Sequence, residues 1–203
     1  MKKYLLYKIP YALLYSRLVV AAFIIIFSFT HISPIIIVSF SIYAVISDVF
    51  DGMIARKLKI STIEMRQLDT KIDTVFWFSC LFYLCVNQTQ FLKAHMVELF
   101  ILVFSELFII VFGKLKFDER ISYHTILSKC WALCLLWFFI DISLNNSCGF
   151  SFIISFWYGL VVQFEILMIA IILKTNHTDV PSVLQAIKLR KGGEIRRNRF
   201  FNG

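Results

Sequence analysis

Apolar residues run through this chain in long blocks, and the polar ones gather between them. Six blocks are long enough, at about 1.5 Å per residue, to cross roughly 30 Å of hydrocarbon as helices. They cover residues 9–29, 34–55, 68–86, 92–112, 122–144 and 150–173. An even number of spans puts both ends of the chain on one side, and the basic residues say which. Lys2, Lys3 and Lys8 precede the first block, and Arg56, Lys57, Lys59 and Arg66 follow the second. Lys114, Lys116 and Arg120 follow the fourth, and seven further cations follow the sixth, whereas the opposite loops offer only Lys93. The positive-inside rule then predicts an all-α polytopic membrane protein with six transmembrane helices and both termini cytoplasmic.

Composition supports that reading. Of 203 residues 59% are hydrophobic, 22 are Phe, and the mean hydropathy is +0.77, values foreign to soluble domains. The opening MKKYLLYKIPYALLYSRL is basic and then apolar like a secretory signal, but no small-residue cleavage site precedes a soluble domain, so it reads as the first span. The five cysteines form no CxxC pair and are read as buried thiols. Residues 1–173 form the expected catalytic membrane domain and 174–203 a basic cytoplasmic tail. In that tail a short helix is expected after Pro181, ending at Gly192 and Gly193. The net charge of +8 is read as membrane orientation and attraction to anionic headgroups, with no nucleic-acid partner.

The chemistry is concentrated where the second and third blocks meet, in SDVFDGMIARKLKISTIEMRQLDTKIDTVFWF. Asp48 and Asp51 are three apart on one helix, and Asp69 and Asp73 four apart on the next, so each pair projects from one helical face. Facing helices would bring four carboxylates together. A carboxylate costs about 2.5 kcal/mol or more near the middle of a spanning helix, and four like charges repel unless a cation compensates them. Hard divalent ions, Mg²⁺ or Mn²⁺, suit such an oxygen set and keep open positions for phosphate. The carboxylates alone also fit solvated helix ends, a divalent-cation transporter or a silent membrane scaffold. Gly52 and Ala55 would let a flat ligand approach closely, and Arg56 would offer it a fixed positive charge.

The order Asp48, two residues, Asp51, Gly52, two residues, Ala55, Arg56, then Asp69, three residues, Asp73 resembles the CDP-alcohol phosphatidyltransferase signature. The resemblance implies transfer of a substituted phosphate from a CDP-linked lipid donor to an alcohol acceptor, with release of CMP, and a protein that is often a homodimer. It further implies that Asp48, Asp51, Asp69 and Asp73 hold the metal and that Asp73 is the general base. Asp48, Gly52, Ala55, Arg56 and the residue at position 65 would line the CDP portion of the donor. At that last position the family carries glycine and this chain Met65, so a remodelled nucleotide pocket is expected.

Acceptor recognition is assigned to Arg120, His124 and Lys129, around the start of the fifth block, where cations suit a phosphate-bearing alcohol. The opening KIPYALLYSRL is loosely similar to phosphatidylglycerophosphate synthases, which makes glycerol 3-phosphate the first acceptor to test. Arg17, deep in the first block, needs either a polar cavity or a path to the cytoplasmic surface. Glu98, Glu106 and Glu165 are expected in helix pairing. The active site is expected to face the cytoplasm, at the inner membrane if the chain is bacterial.

Overall fold

The computed structural model describes residues 2–30, 32–58, 60, 62–119, 121, 123, 125–146, 149–177 and 180–193, and the side chains of 2–7, 56 and 63 are outside the description. Among the described residues there are eight α-helices and no strand: α1 Lys2–Phe27, α2 Pro34–Lys57, α3 Ile63–Asn87, α4 Thr89–Ala94, α5 Met96–Phe117, α6 Ile126–Asn145, α7 Phe150–Ile172 and α8 Val183–Arg190. Five stretches, within α1, α2, α5, α6 and α7, are long and apolar enough to cross a membrane. The protein is therefore an all-helical integral membrane protein. The expected third span falls in α3, which has the length at 25 residues but whose first half carries Glu64, Arg66, Asp69, Lys71 and Asp73. The polarity that makes α3 chemically interesting is what keeps it out of the apolar set.

One expected boundary moves. The fourth block, expected as one helix over 92–112, is interrupted: the chain breaks at His95 into the short α4 and the long α5. That leaves Lys114 and Lys116 inside the last turn of α5 rather than in a loop, where their charges oppose the negative end of the helix dipole. α5 then stops at Asp118, whose left-handed backbone (φ 55°) lets its N–H reach the Lys114 carbonyl at 3.0 Å. The tail helix α8 forms as expected, and Gly192 just beyond it has the positive φ of 82° that ends it.

The chain divides into two compact units. The first comprises residues 1–94 and 135–151. In it α1 packs against both α2 and α3. The inward stripe of α1 is Leu14, Arg17, Ala21, Ile24 and Ser28, all buried, at spacings of three and four. The matching stripe of α2, Ile37, Ser41, Ala44, Ser47, Asp51 and Ala55, is made mostly of small residues. Small side chains let helix backbones approach closely, which is how spanning helices gain packing where lipid already solvates apolar groups. Pro34 opens α2 at the position where a missing N–H costs nothing. Thr62 caps α3, its hydroxyl accepting the Met65 N–H at 3.1 Å. At the other end of this unit Asn87 donates to the Ser28 carbonyl, and Gln88 to Asn146 and the Ile142 carbonyl.

The second unit comprises residues 95–134 and 152–203. Its apolar core joins Ile109, Ile121, Tyr123, Ile169, Ala170, Leu173, Val180 and Ala186. Gly159 is required by close approach: a Cβ there would meet the Trp131 ring at 2.7 Å. The Trp131 indole N–H donates to the Ser155 carbonyl at 2.9 Å, and the Ser155 hydroxyl to the Cys134 carbonyl at 2.8 Å, lacing α6 to α7.

Candidate active site

The four aspartates do converge. Asp48 and Asp51 come from the C-terminal part of α2 and Asp69 and Asp73 from the first half of α3, each pair about one helical turn apart. One oxygen each from Asp48, Asp51 and Asp69 lie within 4.8 Å of one another, a spacing one ion can bridge. At the centre of the four stands Arg17, from α1. Its Nη1 donates to Asp48 Oδ1 at 3.1 Å and to Asp73 Oδ1, and its Nη2 donates to Asp51 Oδ2 at 2.6 Å and to Asp69 Oδ1. Each terminal nitrogen thus ties one carboxylate of α2 to one of α3.

The two nitrogens face different surroundings. The Arg17 side chain is 1% exposed; the Nη2 partners Asp51 and Asp69 are 3% and 19% exposed, the Nη1 partners Asp48 and Asp73 41% and 30%. The cage is closed behind Nη2 and open beyond Nη1, so a ligand would reach Asp48 and Asp73 first. Arg17 sits nine residues into the apolar stretch that begins at Lys8. At that depth a lone guanidinium would be costly, and four carboxylates without a cation would be costlier. Of the two placements open to Arg17, the polar interior is the one adopted.

The donor set fits a hard divalent cation. All the donors are carboxylate oxygens, the ligand class preferred by Mg²⁺ and Mn²⁺, and the site already accommodates positive charge at its centre.

Around the cage the expected donor-binding residues divide. Gly52 is half-buried beside Asp51. Ala55 is 1% exposed and is covered by a small apolar cluster with Leu14, Met65 and Ile72. Met65 is itself buried, so the residue standing at the family's glycine position packs into the protein interior against Ala55. The Arg56 side chain is outside the described residues, as are Arg120 and His124. Lys129 lies in the first turn of α6, half-buried, in the second unit.

Two features outside the carboxylate segment escaped sequence reasoning. The contact of Arg17 with all four aspartates was the more consequential, and a signal for it existed: Arg17 falls on the three-four stripe of Leu14, Ala21 and Ile24, where an inward residue is expected. The other is Lys116, whose ammonium donates to the Ala170 and Ile171 carbonyls at 2.7 and 3.0 Å and so caps α7. Of the three glutamates expected in helix pairing, Glu165 accepts hydrogen bonds from Thr125 and from the backbone N–H of Val183, the first residue of α8. Glu98 pairs with His95 at 3.6 Å.

A helical membrane protein with an acidic, cation-filled cage between two of its helices is built for phosphate chemistry at a bilayer. The model of the CDP-alcohol phosphatidyltransferase family matches residues 7–176, most of the chain, and the chain belongs to that family. It is accordingly a phosphotransferase for substituted phosphate groups, of a divalent-metal-dependent family that moves a phosphatidyl group from a CDP-alcohol to an alcohol within a membrane. No curated protein and no solved structure shows significant similarity to it.

Proposed function

We propose that this enzyme makes a phospholipid by transferring the phosphatidyl group of CDP-diacylglycerol to a small alcohol, with glycerol 3-phosphate the first acceptor to test. The observation that carries the reading is the convergence of Asp48, Asp51, Asp69 and Asp73 in one half-open cage within a chain of this family. Asp48, Asp51 and Asp69, with Asp73 as a further ligand, would hold Mg²⁺ or Mn²⁺, whose charge would neutralise the pyrophosphate and the departing CMP. Asp73, on the exposed side of the cage, accepts the proton of the acceptor hydroxyl. The acceptor oxygen bonds to the lipid-side phosphorus, the bond from that phosphorus to the CMP oxygen breaks, and CMP leaves. Gly52, Ala55 and Arg56 lie along the CDP portion, with Met65 narrowing that pocket; Arg120, His124 and Lys129 bind the acceptor's phosphate.

The same reading places α3 in the membrane as the third of six spans, with both termini and the active site cytoplasmic. It is supported by the distribution of Lys and Arg between alternate loops. The protein works as a homodimer in that membrane, and the basic residues beyond 173 contact anionic headgroups.

The decisive measurement is CMP release by purified protein supplied with CDP-diacylglycerol, Mg²⁺ or Mn²⁺ and a panel of alcohols. Release with one acceptor, abolished in a folded Asp73→Asn variant, is the expected result. Absence of release with every donor and acceptor pair would refute the proposal.

A further inference from the structure

Arg17 contributes nothing to the spacing pattern of Asp48 to Asp73, yet it contacts every carboxylate in it. Its guanidinium occupies the charge-compensating position that the acidic set otherwise offers to a metal. The two cations cannot both hold all their partners. Mg²⁺ requires oxygen contacts of about 2.0–2.1 Å, and the three carboxylate oxygens available to it span no more than 4.8 Å. Arg17 already holds one oxygen of each of these three carboxylates, at 2.6 Å for Asp51 and 3.1 Å for Asp48, so an ion bound among the same carboxylates would lie close to the guanidinium. Two positive charges that close in a half-buried site repel strongly.

Arg17 is also held in a way that lets it yield. Among the described residues its buried Nε–H has no hydrogen-bond partner, and the guanidinium is anchored there through Nη1 and Nη2. A side-chain rotation that releases one pair of carboxylates breaks no other hydrogen bond. Because each of those nitrogens joins α2 to α3, the same contacts keep the two helices together while no metal is bound.

We propose that Arg17 is a tethered competitor for the metal site: it compensates and gathers the four carboxylates in the metal-free protein, and a divalent ion enters only as Arg17 surrenders contacts. Arg17 then sets the affinity for the ion as well as the integrity of the empty cage. This inference rests on the reading of the cage as a metal site, but not on the transfer reaction or on the choice of donor and acceptor.

The role predicts an effect whose sign a purely structural ion pair would not give. If Arg17 only braces the cage, removing its charge weakens metal binding or leaves it unchanged; if it competes, removal tightens binding. Mn²⁺ binding to the full chain in lipid nanodiscs, read by electron paramagnetic resonance, and thermal unfolding with and without Mn²⁺ separate the two. Arg17→Gln is expected to bind Mn²⁺ on the order of tenfold more tightly, to melt lower than the parent without metal, and to recover at saturating Mn²⁺. Arg17→Lys, which keeps one charge but loses the fork, should fall between.

Equal or weaker Mn²⁺ binding by folded Arg17→Gln would overturn the proposal. Should Arg17→Gln not fold without metal, the comparison is made in an Asp73→Asn background, where one negative charge fewer needs compensation. There too, tighter binding on loss of Arg17 supports the assignment, and equal or weaker binding ends it. Failure of every CMP-release assay would leave these binding results standing and refute the proposed transfer instead.

Discussion

The two compact units bury polar groups in opposite ways. In the first, Arg17 and four aspartates face one another, and each is satisfied by a charge rather than by the backbone. In the second, polar side chains tie neighbouring helices together: the exposed Lys116 on the end of α7, the half-buried Trp131 on the Ser155 carbonyl, and the buried Gln163 on Ser105 and the Leu102 carbonyl. Polar atoms that bond to backbone carbonyls are glue, since they are satisfied in one arrangement and stay there. Mutually facing charges have alternatives, because an ion or a phosphate can replace any partner. The first unit holds the carboxylate cage, and the second is fastened by its polar contacts.

The largest expected effect comes from breaking the charged set at its most buried carboxylate. Asp51→Asn keeps size and removes one charge, leaving Arg17 with three carboxylates and the triad with two. CMP release should fall by more than about 100-fold, beyond the ten- to hundredfold typical of losing only an outer-shell partner of a metal. Mn²⁺ affinity should fall with it, while circular dichroism stays that of the parent. An Asp51→Asn enzyme with near-parental turnover would remove the first unit's claim to the chemistry.

Next comes the apolar cluster beside that set. Met65→Gly empties the space between Leu14, Ala55 and Ile72 and should cost about 2 kcal/mol or more, as truncations of buried Met do. The melting temperature would drop accordingly. It also uncovers Ala55, so the KM for the CDP-linked donor should fall while kcat changes little. A KM that does not move would show that the nucleotide pocket stops short of Met65.

Much of this was legible along the chain, for a physical reason that also marks the limit. Helix length, the Asp48–Asp51 and Asp69–Asp73 spacings and the family pattern are local, and local periodicity survives in sequence. The Arg17 contacts join residues 31 to 56 positions apart, and only packing of α1 against both α2 and α3 decides them. Lys116 read as an orienting charge because nothing nearby shows that the end of α7 arrives beside it. The break at His95 was hidden because no Gly or Pro marks it, whereas Met65 was visible as a departure although its burial against Ala55 was not. The acceptor residues remain in the class of expectation, two of the three lying outside the described residues.

In the second unit the expected effects are structural and smaller. Gly159→Ala places a methyl group 2.7 Å from the Trp131 ring and forces the indole aside, at a cost of about 1–3 kcal/mol. Thermal unfolding should register the loss. CMP release per folded molecule should stay within about twofold of the parent, since packing strain distant from reacting groups is a stability effect first. A collapse of kcat with an unchanged melting temperature would erase the division of labour between the units.

The smallest effect tests the glue itself. Gln163 is 3% exposed; its amide nitrogen donates to the Leu102 carbonyl at 3.1 Å and its oxygen accepts from the Ser105 hydroxyl. Gln163→Leu removes both of these contacts between α5 and α7, yet orphans little. The Ser105 hydroxyl keeps the Ile101 and Leu102 carbonyls as acceptors at 2.7 and 3.0 Å within its own helix. Interhelical hydrogen bonds in membranes average only about 0.6 kcal/mol for this reason, the alternative partner being nearby. The melting temperature should therefore shift slightly downward with kcat and metal affinity unchanged. A loss of several kcal/mol would mean that this pair organises the second unit as Arg17 organises the first, because a contact with an intrahelical substitute cannot be worth that much unless the surrounding helices depend on it.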